Sequence, residues 1–472
     1  MKTMRQLPAA IMATVFTALS VSGVSAQPVC PGQRIVGSDV FFFSSFGRAV
    51  AISGDAAVVG RPTGVGSAFV FERSPSGDWV ETQQLDPTDG GGLFGDAVAI
   101  EGDVIAIGAR SHDHEGLLAG GAVYMFRRTE PEAGGGAGAG AGGGWVFQQE
   151  ILPVEDSTDN FGFLVELDAG RLVVTRPGAA YVYGFDGGAW VHEQTLLPPL
   201  PGDIGYGASL SIDADVLVIG APSDDTFCIP DPKFFGSDSG IAFVYRFNGE
   251  QWALEQTLSP SDADCQRRFG KSVAVSGDAI IASAPVNPPA AYVFEYDPRA
   301  GQWMETTVFT HPIGEFAFYG DRPRSTSIQG DLAIVGDWGT AIGLPSAGAA
   351  FVYQRTPAGT WIERDTLLPQ PNPWSNRFGW SVWLDQGRAI ISAHGEDHQS
   401  GAAYIFDLAP APGDLNCDGL VNGLDLGNLL ANWSIPPDAP ACAGDTPCAS
   451  DINSDGVVDG LDLGILLANW TL

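Results

Sequence analysis

Near the C-terminus, one pattern of oxygen-bearing side chains occurs twice at a spacing suited to a hard cation. Asp414, Asn416, Asp418, Asn422 and Asp425 stand at positions one, three, five, nine and twelve of a loop, with Gly419 at six and the Leu420 carbonyl at seven. Asp451, Asn453, Asp455, Asp459 and Asp462, with Gly456 and the Val457 carbonyl, repeat the pattern. Oxygen ligands at these intervals, with a glycine to turn the loop sharply, are what Ca²⁺ coordination requires. The sequence therefore predicts two Ca²⁺ sites. Without the ions the clustered aspartates would repel one another, and the core is too small to offset chain entropy, so folding of this part should depend on calcium.

Histidines are the other residues with chemistry to offer. His112, His114 and Glu115 form one cluster; His394, Glu396, Asp397 and His398 form another. A metal or acid–base site would need the two to converge, and the ordinary expectation for such residues is a solvated polar loop. The sequence contains no nucleophile elbow of the Gly-x-Ser-x-Gly type, no His-Glu-x-x-His and no phosphate-binding glycine loop. A glycosidase would use a carboxylate pair, but none can be singled out among 56 acidic residues. No catalytic residue is assigned.

Each calcium loop runs into a short helix with an apolar stripe at i, i+3, i+4 and i+7: Leu426, Leu429, Leu430 and Trp433, then Leu463, Leu466, Leu467 and Trp470. The stripes are expected to pack the two helices together. This duplicated loop–helix unit resembles a type I dockerin, including Asp at position twelve. The resemblance implies binding to a cohesin-like or envelope protein. It also implies that Gly423 and Leu424, with Gly460 and Leu461, influence partner choice in two pseudo-symmetric modes.

Upstream, one phrase recurs. Seven residues separate Gly47 from Gly54, Gly95 from Gly102, Gly162 from Ala169, Gly207 from Ala214, Gly270 from Gly277 and Gly379 from Gln386. Each of these turns leads into an apolar strand, and Trp79, Trp145, Trp190, Trp252, Trp303 and Trp361 each open a later one. A seventh unit, around Gly330, has an irregular start: Tyr319-Gly320 fits only with three extra residues. The Phe-Gly pairs at 46–47, 94–95, 161–162, 269–270 and 378–379, with Tyr206-Gly207, and the Gly108-Ala-Arg110 and Gly220-Ala-Pro222 phrases resemble FG-GAP repeats, the blades of the integrin α-chain head. The resemblance implies a seven-bladed β-propeller. Calcium loops are common in that family, but the corresponding turns here are two residues long. Strands are complete except after Phe406, where the last unit lacks its fourth. Gln33 to Asp39 parallels Gln84 to Asp89 and is expected to supply that strand and close the ring.

The formal charge of −33 excludes nucleic-acid backbones and anionic membranes as partners. Lys2 and Arg5 before an apolar stretch, with Ser25 and Ala26 at the cleavage positions, read as a signal peptide. The protein is expected to be secreted or attached to the cell surface, with no membrane span after signal removal. Export makes the six cysteines candidates for disulfides, and Cys228 with Cys265 is the pair that the topology would bring to one rim. Residues 131–144 are a Gly/Ala-rich loop.

The expected architecture is all-β, a seven-bladed propeller plus a small C-terminal α-helical duplicated calcium-loop module. Its segments are a signal peptide (1–26), the propeller (27–407), a linker (408–413) and the dockerin-like module (414–472). The expected function is non-catalytic binding or adhesion, the propeller recognising a protein or glycan and the C-terminal module attaching the protein to a partner. The alternative is an extracellular carbohydrate-active enzyme that degrades polysaccharide and carries a dockerin.

Overall fold

A computed structural model describes residues 30–113, 118–129, 143–155, 159–199, 205–225, 238–286, 288–310, 320, 322, 324–340, 347–369, 376–408, 412–417, 421–434, 450–453 and 457–471. The signal-peptide segment, most of the glycine tract, Tyr319, Pro323 and residues 409–411 of the linker lie outside the described residues.

Seven four-stranded antiparallel sheets form the propeller. Blade 1 is β2 (Val50–Ser53), β3 (Ala56–Arg61), β4 (Ser67–Arg73) and β5 (Trp79–Leu85). Blades 2 to 6 repeat it with inner strands β6 (Ala97–Glu101), β10 (Leu164–Asp168), β14 (Ser209–Asp213), β18 (Val273–Ser276) and β22 (Thr326–Gln329). Blade 7 consists of β26 (Val382–Asp385), β27 (Arg388–Ala393), β28 (Ala402–Asp407) and, as its outer strand, β1 (Gln33–Ile35). The second and third strands are buried along most of their length, because each blade is covered by a neighbour on both faces. The second and third strands thus need no polar alternation, whereas outer strands such as Trp79–Leu85 alternate with solvent.

The closing strand pairs one residue away from its expected register. Gln33 lies opposite Ile405 as Gln83 lies opposite Val70, so Gln33 corresponds to Gln83 and not to Gln84. The reason is a contact between blades. The Gln33 side chain accepts from the Trp79 backbone N–H at 2.8 Å and donates to the Trp79 carbonyl at 3.0 Å. Gln83 brackets Trp145 in the same way, Gln149 brackets Trp190, Gln194 brackets Trp252 and Gln256 brackets Trp303.

The Phe-Gly signature also works across blades. Its aromatic side chains, Phe46, Phe94, Phe161, Phe269 and Phe378, have no solvent exposure. The Gly95 backbone meets Gly60 of the preceding blade so closely that a Cβ on Gly60 would overlap the Gly95 carbonyl oxygen; Gly220 meets Gly270, and Gly336 meets Gly379, in the same manner. The sixth unit keeps this geometry. Gly320 N–H donates to the Gly336 carbonyl at 2.9 Å, as Gly95 does to Gly108 at 3.1 Å. Gly320 is therefore the sixth signature glycine, and three additional residues precede Arg324.

Around the inner strands, the last side chain of each blade binds the next. Asp385 accepts from Gly54 N–H at 2.6 Å, Ser53 from Gly102 at 3.1 Å, Glu101 from Ala169 at 2.8 Å, Asp168 from Ala214 and Asp213 from Gly277 at 2.5 Å each, and Ser276 from Gly330 at 3.2 Å. Gln329 completes the circle by donating to Asp385 at 2.8 Å.

A disulfide joins Cys30, just before the closing strand, to Cys417 in the first acidic loop. It was not anticipated. Cys265 is a free thiol, which corrects the expected Cys228–Cys265 bond; Cys228 itself lies outside the described residues. A shared rim does not by itself bring two thiols to the short Cα separation a disulfide requires. C-terminal helices α1 (Gly423–Ala431) and α2 (Gly460–Ala468) pack on each other. Their shared core is Val421, Leu429, Ile452, Val458 and Leu466. Leu430 and Leu467 are exposed, so only part of each stripe packs as expected. The 3.6-residue period turns the eighth helical position partly away from the partner.

Ring closure by β1 gives a direct prediction. Ile35, 3% exposed, sits where Leu85 sits in blade 1. Replacing it by aspartate (Ile35→Asp) should lower the unfolding free energy by about 4 kcal/mol or more, through the lost side chain and the buried charge. Urea unfolding of the full chain checks this, and a variant with the parent's midpoint would contradict the closure.

Candidate functional site

The propeller has two unlike faces. Tight turns such as Gly54-Asp55 lie on one, the turn face. The other, the FG face, carries the Phe-Gly motifs and the loops between second and third strands.

On the FG face, aromatic and basic side chains gather at the channel mouth where blades 6, 7 and 1 meet. The Arg322 guanidinium lies 3.8 Å from the ring centroid of Trp380 and 5.2 Å from that of Trp338. Arg48 and Arg377 approach Trp380 at 4.9 and 5.9 Å. His394 meets the same ring edge-on at 4.2 Å, and its Nε2 faces Arg377 Nη1 at 3.1 Å. Burial first, and then Arg48, Arg377 and Arg322, hold the His394 pKa well below the ordinary histidine value. His394 is therefore neutral at physiological pH, with Nε2 accepting from Arg377. Such stacking is worth about 0.5–2 kcal/mol per pair and orients guanidinium N–H groups that are good donors to carboxylates. On the same face, Phe41, Phe42 and Phe43 lie in the loop after the closing strand, 48, 67 and 64% exposed. Phe42 packs edge-on to His398 at 5.6 Å, and Phe43 N–H donates to the His398 carbonyl.

The central channel holds carboxylates, each with a structural partner. Arg324, placed by the insertion in blade 6, reaches across to donate to the Val98 and Val165 carbonyls of blades 2 and 3, and lies 3.4 Å from Glu166. Below it, toward the turn face, is a cavity of about 180 Å³ lined by the ends of the inner strands. Burial pushes the Glu166 pKa up, to about 7, against the pull of Arg324, and burial also raises Asp168 to about 6, against its bond from Ala214 N–H.

The structure does not bring together the two histidine clusters. His394 belongs to the mouth, and Glu396 bonds Arg34 Nε at 2.5 Å and Tyr404 at 2.8 Å. Asp397 pairs with Arg34 at 2.8 Å. His112 instead sits at the junction of blades 1 and 2, 3.7 Å from Asp89 and 3.4 Å from Glu150. His114 and Glu115 lie outside the described residues. Sequence reasoning missed Phe41–Phe43, although three consecutive phenylalanines in a loop were a visible signal. It also missed the channel role of Arg324, for which only the three-residue insertion gave a hint.

In the C-terminal loops, Asp425 and Asp462 are fully buried and Asp414 nearly so. Asp425 accepts from the Leu415, Asn416 and Asn422 backbone N–H groups at 2.8 to 3.1 Å. Asp462 accepts from Asn453 and Asp459 at 3.1 and 2.9 Å. Asn422 and Asp459 cap the helices that follow. Asn416, Asp451 and Val457 occupy the described parts of the loops; Asp418, Leu420 and Asp455 lie outside them.

Residues 79–126, 252–294 and 361–406 match the FG-GAP repeat family. Each match starts at the tryptophan of an outer strand and ends on the third strand of the following blade, so the repeat in sequence straddles two blades in space. No curated protein matches the chain. The chain carries FG-GAP repeats in a seven-bladed β-propeller, an architecture associated with binding and adhesion.

The channel pair has a pH consequence. A carboxyl whose folded pKa is raised holds its proton more tightly folded than unfolded, so its contribution to stability is complete below about 4.5 and is lost as pH rises through about 7. Melting temperature of the parent should fall more steeply between pH 5 and pH 8 than that of Glu166→Gln. Equal slopes in the two proteins would show that Glu166 does not titrate in that range.

Proposed function

We propose that the protein is a secreted or surface-attached, non-catalytic binding protein whose FG face captures a protein or glycan bearing acidic groups. The observation that carries this reading is the patch formed by exposed Phe41–Phe43 on the same face as the arginine–tryptophan mouth. The whole chain has 23 basic residues against 56 acidic ones, and three arginines stand around Trp380 at this mouth: Arg48, Arg322 and Arg377. Arg48 and Arg110 share Asp96 at 3.1 and 2.5 Å, and Arg322 and Arg377 lie half-buried against the aromatic rings. A clustered apolar surface on one face with oriented guanidinium donors suits a ligand with a flat or apolar part and a carboxylate. The channel carboxylates, bonded to Arg324 and to backbone N–H groups, favour binding over the alternative of a polysaccharide-degrading enzyme.

The C-terminal segment would supply attachment as a dockerin-like, calcium-dependent module. Residues 408–472 contain nine aspartates and no lysine, arginine or histidine. Fully buried Asp425 and Asp462 therefore have no basic side chain of this segment to neutralise them, and a bound cation fits that need. Asp414, Asn416, Asp418, Leu420, Asn422 and Asp425 would hold one Ca²⁺; Asp451, Asn453, Asp455, Val457, Asp459 and Asp462 would hold the other. Calcium would supply the charge that orders the loops. Leu424 and Leu461, 65 and 63% exposed at equivalent positions, would face a cohesin-like or envelope partner.

Two measurements test this proposal. The full chain, screened in calcium against acidic oligosaccharides and acidic proteins, should bind a ligand whose affinity falls at least about tenfold, or 1.4 kcal/mol, in Phe42→Ala and in Arg377→Ala. Arg388→Ala on the turn face should leave it unchanged; an equal loss there, or none at the patch, would contradict the assignment. By calorimetry the full chain should take up calcium in both loops, with Asp418→Ala emptying the first and Asp455→Ala the second. Calcium uptake unaltered in both variants would contradict the loop assignment.

A further inference from the structure

We propose that Asp89, His112 and Glu150 form a binding site for a first-row divalent transition metal ion of the zinc type, at the junction of blades 1 and 2. One ligand atom from each lies within 4.8 Å of the other two. His112 Nε2 is 3.4 Å from Glu150 Oε1 and 3.7 Å from Asp89 Oδ2. Ligands at about 2.0–2.2 Å from a tetrahedral zinc stand about 3.4 Å apart, so the edge to Glu150 already has the required length and the edge to Asp89 exceeds it by about 0.3 Å. Asp89 is 44% and Glu150 27% exposed at the side chain, which gives an ion a way in, while His112 is held at 6%.

The tautomer of His112 is set by a third residue. Tyr124 gives its hydroxyl proton to Asp89 Oδ1, and its oxygen lies 3.4 Å from His112 Nδ1. A phenol whose proton is engaged can only accept there, so Nδ1 carries the imidazole proton. Nε2 then presents its lone pair toward the two carboxylates. Three acceptors facing one point suit a cation, and the hydrogen bond on the far nitrogen is the support that metal-bound histidines normally have.

The repeats provide an internal comparison. In blade 5, Tyr292 donates to Asp262, which follows Leu258 at the same interval as Asp89 follows Leu85, and Arg267 donates to both Tyr292 and Asp262. In blade 7, Tyr404 donates to Glu396, and Arg34 bonds that carboxylate. In blade 3, Arg176 donates to Tyr181 at 2.8 Å. An arginine thus accompanies the rim tyrosine in three blades. In blade 2 the carboxylate bonded to the tyrosine pairs with His112, and a second carboxylate stands on the same imidazole. An imidazole ligand favours zinc-type ions over calcium, which takes oxygen.

The test uses the full chain with saturating calcium, so that the C-terminal loops are filled, and Zn²⁺ or Co²⁺ as the probe. The parent should bind one equivalent of zinc by calorimetry and give a cobalt absorption spectrum. His112→Ala should abolish both, and Tyr124→Phe should weaken zinc roughly ten- to hundred-fold. Glu150→Gln, at a partly exposed position, should weaken zinc by at least about tenfold without changing the metal-free melting temperature, which separates ligand loss from misfolding. Failure to bind zinc, binding unaltered in His112→Ala and Glu150→Gln, or displacement of zinc by calcium would each overturn the proposal.

Discussion

The close approach of glycine backbones between neighbouring blades is the constraint on which this structure depends. Gly60 against Gly95, Gly220 against Gly270 and Gly336 against Gly379 leave no room for a β-carbon, so the interval between blades is set by main chain alone. Side chains then fill what remains: the signature phenylalanines inside the FG face, the glutamine–tryptophan brackets at the outer edge and the polar links around the channel. Thr175, Ser283 and Ser392 stand in the glycine's place at three other junctions, yet every junction must still cover an outer edge. The last junction can do so only with a strand from the N-terminus.

Such a ring frees the loops of the FG face from any duty in the fold. Variation collects there, and the variation is chemical. Blade 6 gains residues that deliver Arg322 to the rim and Arg324 to the channel. The segment after the closing strand gains Phe41–Phe43, and blade 2 replaces an arginine near its rim tyrosine with His112 and Glu150. In a chain with so large an excess of acid, local positive charge at the mouth defines where an acidic ligand meets the least repulsion.

Much of the fold was legible because its causes are local and repeated. The seven-residue interval from glycine to turn, the tryptophan-led strands and the missing fourth strand after Phe406 all report contacts made identically in several blades. What sequence did not resolve was contact between segments far apart in the chain. The register of Gln33 depends on the Trp79 backbone, which an alignment of similar-looking segments does not weigh, and the error was one residue. Cys30 and Cys417 are 387 residues apart, and their proximity follows only from ring closure. His112 was visible as a candidate, but its partners Asp89 and Glu150 come from the segment that joins blades 1 and 2 and from the outer strand of blade 2, 23 and 38 residues away in sequence. Asn422 and Asp459 cap the two C-terminal helices, and Asp425 and Asp462, three residues on, complete the capping boxes.

The placement of Phe41–Phe43 rests on the closed ring, because these residues follow the closing strand and pack on the His398 loop of blade 7. Hydrogen exchange of the intact chain, followed by mass spectrometry, tests that closure most directly. Amides of Gln33–Ile35 should be protected to the same degree as those of Ala402–Asp407, their partner strand, and as those of Trp79–Leu85, the equivalent outer strand of blade 1. Exchange of Gln33–Ile35 at the rate of an unpaired segment, while the other two strands stay protected, would contradict the account.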